Sequence, residues 1–146
     1  MEKELFTTIR ELMLLLLWEM VRALRPFHLT PEQFDTLLLL EQDSGWRMGD
    51  LSGRLLVDNS KMTRIVDYLE AQSWAERRPH PKDRRAQQVL LTSAGATHRE
   101  AAQVAHLETL QASLAPLSDS EQTELRNLLT KWRANLGNAD SADHRE

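Results

Sequence analysis

The sequence predicts a mainly α-helical protein with one small β-hairpin near its middle. Apolar residues recur at steps of three and four along most of the chain, which is typical of amphipathic helices. The short runs at residues 74–78 and 87–92 have the composition of strands instead, and a turn with two prolines and an aspartate separates them. At 146 residues the chain is long enough for one domain with a buried core.

The first predicted helix covers about six turns and ends at Pro26. Seven consecutive apolar residues at 12–18 make it apolar nearly all round, although this run is far shorter than the roughly 20 apolar residues of a membrane span. A surface helix of a small monomer could not bury such a segment, so we expect it to pack against its own domain and a partner subunit. Its apolar positions are Leu5, Phe6, Ile9, Leu12, Met13, Leu16, Leu17, Met20, Val21 and Leu24.

The second predicted helix begins with a capping box. Thr30 is the N-cap, Pro31 follows at the first helical position and Gln33 at the third, a combination that satisfies free backbone N–H groups. This helix is expected to stop near residues 43–45.

Two short helices are predicted next, at residues 49–56 and 59–72, with a brief turn between them. In the second, Met62, Ile65, Val66 and Leu69 fall at i, i+3, i+4 and i+7 and form one stripe to be buried. Short polar and cationic residues occupy the opposite face. This is the pattern of a helix-turn-helix whose second helix is the recognition helix.

The hairpin follows as a wing at residues 74–91, and two further helices complete the chain. The first of these starts after Thr92 and breaks at Pro116. The second opens with a capping box formed by Ser118 and Glu121. Residues 137–146 are polar and unpatterned, and we expect a disordered tail there.

Charge is distributed unevenly along the chain, whose formal net charge is -4. Residues 1–46 contain 4 basic and 8 acidic side chains, residues 47–85 contain 9 and 6, and residues 86–146 contain 5 and 8. The middle third alone is therefore positive, which indicates a polyanionic partner for this segment, although a merely solvated basic loop would show the same charge.

Several sequence features are absent, and each absence argues against a class of function or location. The chain has no cysteine, which excludes disulfides, cysteine-ligated zinc and thiol redox sensing. No secretory signal pattern is present, and we expect a cytoplasmic protein. The motifs of common enzyme classes are also missing, including a nucleophile elbow, a phosphate-binding glycine loop, HExxH and a dinucleotide fingerprint, so we expect no enzyme activity.

Four separated motifs resemble the MarR family of winged helix-turn-helix transcriptional regulators. They are "LTPEQFDTLLLL", "LSGRLLVDNSKMTRIVDYLE", "RRPHPKDRRA" and "LLTSAG", and together they cover residues 29–95 in the order and spacing of the family. One departure is Ser73, where the family commonly has glycine at the exit of the recognition helix. Another is Gly53, a weak helix former in the first helix of the motif.

The resemblance implies a particular division of the chain. Residues 1–28 and 93–136 would form dimerisation helices, residues 29–92 the winged helix-turn-helix lobe, and residues 137–146 the tail. A homodimer of this kind would place its two recognition helices in successive major grooves about 34 Å apart and bind a pseudo-palindromic operator on double-stranded DNA. We expect a repressor, ligand-responsive in the manner of similar proteins.

Candidate DNA contacts lie on the recognition helix and the wing. Ser60, Lys61, Thr63, Arg64 and Tyr68 are candidates on the helix, because hydroxyls and lysine suit phosphate and arginine can also bind guanine. Arg64 has an alternative interpretation as an ion-pair partner of Asp67.

On the wing, Arg84 and Arg85 are placed to enter a narrow minor groove. Arg77, Arg78 and Lys82 are candidates for phosphate positioning, with a merely solvated charge as the alternative for each. A carboxylate facing phosphate would be repelled, so Asp83 is expected to orient an arginine of the wing or helix.

Similar proteins bind small aromatic or phenolic anions, and Arg10, Trp18, Phe27 and His28 are the ligand-pocket candidates here. Trp18 has an alternative interpretation as a core or dimer-interface residue. His98 and His106 share a helix face but lie about 12 Å apart along the axis, too far to bind one zinc ion together. We therefore expect no metal and no cofactor. The remaining alternative function is a dimeric helical module whose basic hairpin binds an acidic protein.

Overall fold

The computed structural model of the protein describes residues 1–143 and contains six α-helices and three β-strands within that range. In chain order they are α1 (Glu2–Leu24), α2 (Pro31–Leu39), β1 (Trp46–Arg47), α3 (Met48–Leu55), α4 (Asn59–Ala71), β2 (Ala75–Pro79), β3 (Gln87–Leu91), α5 (Ser93–Ser113) and α6 (Asp119–Asp143). A single 3₁₀ turn, Arg25–Phe27, joins the first two helices. The mainly α architecture with a small hairpin is confirmed.

The chain divides into two compact units, Met1–Leu110 and a second that begins at Gln111. The core of the first unit is formed mainly by α2, α3, α4 and the sheet. Leu24 of α1 and Ala102 of α5 are also fully buried in it. The end of α1 and the first half of α5 are thus continuous with the core of the lobe, and the division into dimerisation helices and lobe stays a prediction.

The α3–α4 pair is the predicted helix-turn-helix. The stripe of Met62, Ile65, Val66 and Leu69 is at most 5% exposed and packs into the core. Between the helices, the buried Ser52 hydroxyl is 2.8 Å from the Met48 carbonyl and 2.7 Å from Asn59 Oδ1, so it links α3 to the first turn of α4.

The sheet has three antiparallel strands in the order β1-β3-β2. Ala75 pairs with Leu91 and Pro79 with Gln87, which makes β2 and β3 the predicted wing. The pairing of Trp46 with Val89 adds β1, which the sequence did not predict. Two residues are too few to show an alternating pattern, and this strand exists because the loop after α2 lies against the outer edge of β3.

The start of α5 packs tightly against the exit of α4. A Cβ atom on Gly95 would lie 2.0 Å from the Trp74 carbonyl oxygen, so only glycine fits this position. The Thr92 hydroxyl accepts the Gly95 backbone N–H at 2.9 Å and donates to the Ser73 carbonyl at 2.6 Å. Arg99 then donates to the carbonyls of Leu37 and Leu40, which caps the C-terminal end of α2.

The second unit contains the predicted capping box of α6. The Glu121 backbone N–H donates to Ser118 Oγ at 3.3 Å, and Glu121 Oε2 accepts the Ser118 backbone N–H at 2.8 Å. The backbone hydrogen bond from Ser118, followed by the one from its hydroxyl, lowers the pKa of the Glu121 carboxyl. Helix α6 continues to Asp143, so it includes residues 137–143 of the predicted tail, while residues 144–146 lie outside the described residues.

Helix α1 presents a long apolar surface. All seven side chains from Leu12 to Trp18 are at least 42% exposed, and Leu5 and Phe6 extend this surface toward the N-terminus. Within the described residues, no helix combines the length and the apolar character that crossing a bilayer requires. An exposed apolar surface of this size is typical of an interaction site, and the partner subunit expected from the sequence stays a prediction.

Candidate nucleic-acid interface

The first turn of α4 is held by its cap and faces solvent. Asp58 precedes the helix with extended backbone, and its Oδ1 accepts the Lys61 backbone N–H at 2.7 Å. Ser60, Thr63 and Arg64 are exposed on the side opposite the buried stripe, as the helical period predicted. The Thr63 hydroxyl donates to the Asn59 carbonyl at 2.9 Å, so its methyl group and oxygen are fixed along the helix surface.

Lys61 is held by an acid of α2. Its Nζ lies 2.6 Å from Glu32 Oε1, and both side chains are close to half exposed. Ser60, Lys61 and Arg64 line a surface groove of about 560 Å³ between the N-terminal turns of α2 and α4. An exposed ion pair is weak, at roughly 0–1 kcal/mol, so a phosphate that approaches the groove can compete with Glu32 for the ammonium group.

The guanidinium of Arg64 is exposed on the face of α4 opposite the buried stripe. Among residues 1–143, no ion pair involves its guanidinium, and Asp67, its alternative partner from the sequence, binds Arg77 instead. An exposed guanidinium in the first two turns of a recognition helix suits a guanine edge or a phosphate.

Arg77, at the root of the wing, is ion-paired to α4. Its Nη2 is 2.6 Å from Asp67 Oδ1 and its Nη1 is 2.9 Å from Glu70 Oε1, and the side chain is only 18% exposed. Arg78 is more open, at 58% exposed, and pairs with Glu76 on the same strand. Arg77 is therefore committed to contacts within the lobe, whereas Arg78 retains an exposed guanidinium.

The tip of the wing carries exposed cations on an ordered turn. Lys82, Arg84 and Arg85 are exposed, and within the described part of the chain none of them forms an ion pair. Asp83 Oδ1 accepts the Arg85 backbone N–H at 3.1 Å, and the Asp83 carbonyl accepts the Ala86 N–H at the same distance. Asp83 thus holds the backbone at Arg85, and the predicted orienting function toward an arginine side chain stays a prediction.

Tyr68 points away from the exposed face of α4. Its hydroxyl donates to the His28 carbonyl at 2.6 Å, and its ring meets Trp74 edge to face. The side chain is half-buried, and it connects α4 to the linker between α1 and α2. This geometry favours a structural role for Tyr68 over the predicted contact with DNA.

The four ligand-pocket candidates do not line one common pocket. Arg10 and Trp18 are exposed on α1, and Arg10 lies about 21 Å along the helix from Leu24, where α1 ends. Phe27 is half-buried against the His98 ring. Of the four, His28 alone lines a surface depression of about 550 Å³, together with Arg25, Tyr68 and residues of the α1–α2 linker and α2.

An aromatic junction at the exit of α4 was not predicted. The His98 ring of α5 stacks on Trp74 with centroids 3.8 Å apart, and its Nε2 lies 2.8 Å from the Phe27 carbonyl oxygen. The second histidine considered as a metal ligand, His106, packs edge to face against Phe34. In the part of the chain that the structure describes, no group of three potential ligands could hold a metal ion. In the sequence, the position of Trp74 just after α4 is the one sign of this junction. The residues that Trp74 meets there come from distant segments, which no local pattern identifies.

A helix-turn-helix with an exposed polar recognition face, followed by a hairpin with a basic tip, defines a winged helix-turn-helix domain of the DNA-binding class. The MarR family model matches residues 29–86. The HTH-type transcriptional regulator PecS of Dickeya dadantii is 30% identical to the chain over 77% of this chain and 69% of its own length. The chain therefore belongs to the MarR family and is a helix-turn-helix transcriptional regulator, not an enzyme.

Other similarities agree with this assignment. The multiple antibiotic resistance protein MarR of Salmonella typhimurium is 32% identical over 74% of this chain and 76% of its own length. The crystal structure of wild-type MarR in its apo form from Escherichia coli superimposes with a TM-score of 0.78 at 29% identity, covering 87% of this chain and 95% of that one. The fold similarity thus extends beyond the winged lobe to the terminal helices.

Proposed function

We propose that the protein is a homodimeric repressor that binds a pseudo-palindromic operator through α4 and the wing. The observation that carries this proposal is the pairing of an exposed Ser60, Thr63 and Arg64 face on α4 with an ordered wing tip whose Lys82, Arg84 and Arg85 are exposed. Helix α4 would enter the major groove, and the wing tip the adjacent minor groove. Lys61 and Arg78, whose ion pairs are exposed, would exchange them for phosphates.

Tyr68 and Arg77 are left out of the proposed contacts. The Tyr68 hydroxyl donates a hydrogen bond to the His28 carbonyl, and the Arg77 guanidinium forms ion pairs with two carboxylates. Exposing either group to DNA would break contacts inside the lobe. Asp83 acts indirectly, since its carboxylate orders the backbone at Arg85.

The homodimer is supported by the exposed apolar residues of three helices. On α1 they form the continuous run from Leu12 to Trp18, and further exposed apolar residues on α5 and α6 are Val104, Leu107, Leu128, Leu129, Trp132 and Leu136. A second copy would cover these surfaces and present two α4 helices about 34 Å apart, which matches one turn of DNA.

The DNA-binding proposal predicts that Arg85→Ala weakens operator binding by about 1–3 kcal/mol without changing the dimer. Fluorescence anisotropy would use a duplex that the protein itself selects from a random-sequence pool, with a scrambled duplex as reference. Wild-type binding should fall steeply with salt, by roughly 0.9 decades per decade of salt for each phosphate neutralised. Unchanged affinity in Arg85→Ala would contradict the function assigned to the wing.

A dimeric module that binds an acidic protein is the alternative function. It would also use the basic wing, but it has no reason to prefer one DNA sequence. Equal affinity of the wild-type protein for selected and scrambled duplexes would therefore favour this alternative over an operator-binding regulator.

We also propose that an aromatic carboxylate releases the protein from DNA by binding the depression beside His28. Arg25 supplies a cation there, His28 an imidazole and Tyr68 a ring, beside the linker that connects α1 to the lobe. Salicylate added to the protein–operator complex should lower the anisotropy, and Arg25→Gln should reduce this response. Release that is unaffected by Arg25→Gln would place the ligand elsewhere.

A further inference from the structure

Arg77 joins the wing to the recognition helix through side chain and backbone together. Its guanidinium bonds Asp67 at 2.6 Å and Glu70 at 2.9 Å, and its backbone N–H donates to Glu70 Oε2 at 3.0 Å. The two acids lie three residues apart on α4, so they share one face of that helix. One arginine at the start of the hairpin thus holds both carboxylates in a fixed, charge-assisted arrangement.

The position of this contact gives it mechanical importance. The wing leaves α4 through a turn at Ser73, and Arg77 is the third residue of β2. From Arg77, β2 continues to Pro79, about 7 Å at roughly 3.3 Å per residue, and the turn with Lys82, Arg84 and Arg85 lies beyond its end. A rotation at the root therefore displaces the tip by more than it displaces the strand. Such a displacement would separate Arg84 and Arg85 from the minor groove.

We propose that Arg77, Asp67 and Glu70 form a clamp that sets the orientation of the wing relative to α4, which makes Arg77 a positioning residue for DNA binding. This inference rests on the DNA-binding function proposed above. It also explains why a DNA-binding helix carries two acids on an exposed face, where each carboxylate by itself repels the phosphate backbone. Their cost in electrostatic repulsion is offset by the ordered wing.

The double variant Asp67→Asn, Glu70→Gln tests the clamp, because the two interpretations of Arg77 predict opposite changes in DNA affinity. If Arg77 binds phosphate directly, removal of its acidic partners frees the guanidinium, deletes two negative charges, and tightens binding. If it is a clamp, the same substitutions loosen the wing and weaken binding to the selected duplex by about tenfold, the scale of one lost DNA contact. Tighter or unchanged binding would overturn the proposal.

A matched control removes an acid from the same lobe without touching the clamp. Glu32→Gln frees Lys61, and we expect binding to tighten about twofold to fivefold, in keeping with a weak exposed ion pair. Arg77→Lys keeps the charge but cannot bridge two carboxylates, so it should also weaken binding. Full affinity in Arg77→Lys would show that charge alone matters and would reject the clamp.

A comparison of DNA affinities in combined variants distinguishes a positioning role of the clamp from a general loss of folding. Arg85→Ala should have a smaller effect in the Asp67→Asn, Glu70→Gln protein than in the wild type, because an unclamped wing no longer presents Arg85. Equal effects in both backgrounds would reject the proposal. If the wild-type protein bound selected and scrambled DNA equally well, the proposed operator-binding function would be wrong. That outcome is distinct from a failure of the clamp, which is judged only from the variants.

Discussion

Within residues 1–143, three residues with side chains have positive φ, and each lies at the end of a helix. They are His28 at 54°, Leu56 at 55° and Ser73 at 63°. In this left-handed region the Cβ atom of an L-residue is crowded by the backbone, at a cost of roughly 1–2 kcal/mol. Ser73 is the position at which the sequence departs from the family glycine, and the structure confirms that the backbone there is left-handed.

We expect Ser73→Gly to raise the free energy of unfolding by about 0.5–1 kcal/mol, because relief of strain at φ 63° exceeds the entropy that glycine adds to the unfolded chain. Urea unfolding at a fixed protein concentration measures the change. Ser73→Ala is the matched control, since it keeps the Cβ atom and should give no such increase. Equal stabilisation by both variants would contradict strain at this position.

At the scale of helices and strands, the recognition helix is held from several sides. Lys61 bridges to α2, Arg77 bridges from β2, and Trp74 at its exit stacks on His98 of α5. The Tyr68 hydroxyl adds a contact to the α1–α2 linker. The linker and α5 therefore contact α4 or its exit directly, which is what the proposed release by a ligand at the linker requires.

Elements that depend on local pattern were predicted well. The capping boxes at Thr30 and Ser118 form as expected, because a capping box involves residues only three positions apart. The buried stripe of α4 follows from the helical period alone. In contrast, β1 and the Arg77 clamp depend on residues that are distant in sequence, and no periodicity indicates which acid an arginine will meet.

The exposure of the candidate site residues was predicted in part for the same reason. Ser60, Thr63, Arg64, Arg84 and Arg85 are exposed as expected, and their contact with DNA stays a prediction. Charge counting alone could not separate these residues from Arg77, whose equal charge is used inside the lobe. The aromatic character of Tyr68 likewise gave no sign that its hydroxyl reaches the linker.

At the scale of the whole molecule, we expect Leu15→Glu to raise the dissociation constant of the proposed homodimer by about 100-fold or more. Leu15 is 61% exposed in the middle of the apolar run of α1, and burying an unpaired carboxylate in an interface costs several kcal/mol. Sedimentation equilibrium measures the dissociation, and operator affinity should fall with it because a monomer presents one recognition helix.

Lys3→Glu is the control for this prediction, since it places a carboxylate on α1 before the apolar surface begins at Leu5. It should leave the dimer largely intact. A Leu15→Glu protein that remains as dimeric as the Lys3→Glu protein would show that the apolar run of α1 is covered by something other than a second copy.

The amino-acid order alone was sufficient to predict the fold class, the helix-turn-helix and the hairpin, because each depends on short-range periodicity, caps and turns. The family was predicted from the resemblance of four motifs. Tertiary structure decided which cations are exposed and which ones form ion pairs within the lobe. It also decided that the ligand candidates are dispersed and that Trp74 and His98 meet. The physical reason is that an ion pair or a ring stack depends on where two distant segments are brought together by the core, which no local pattern specifies.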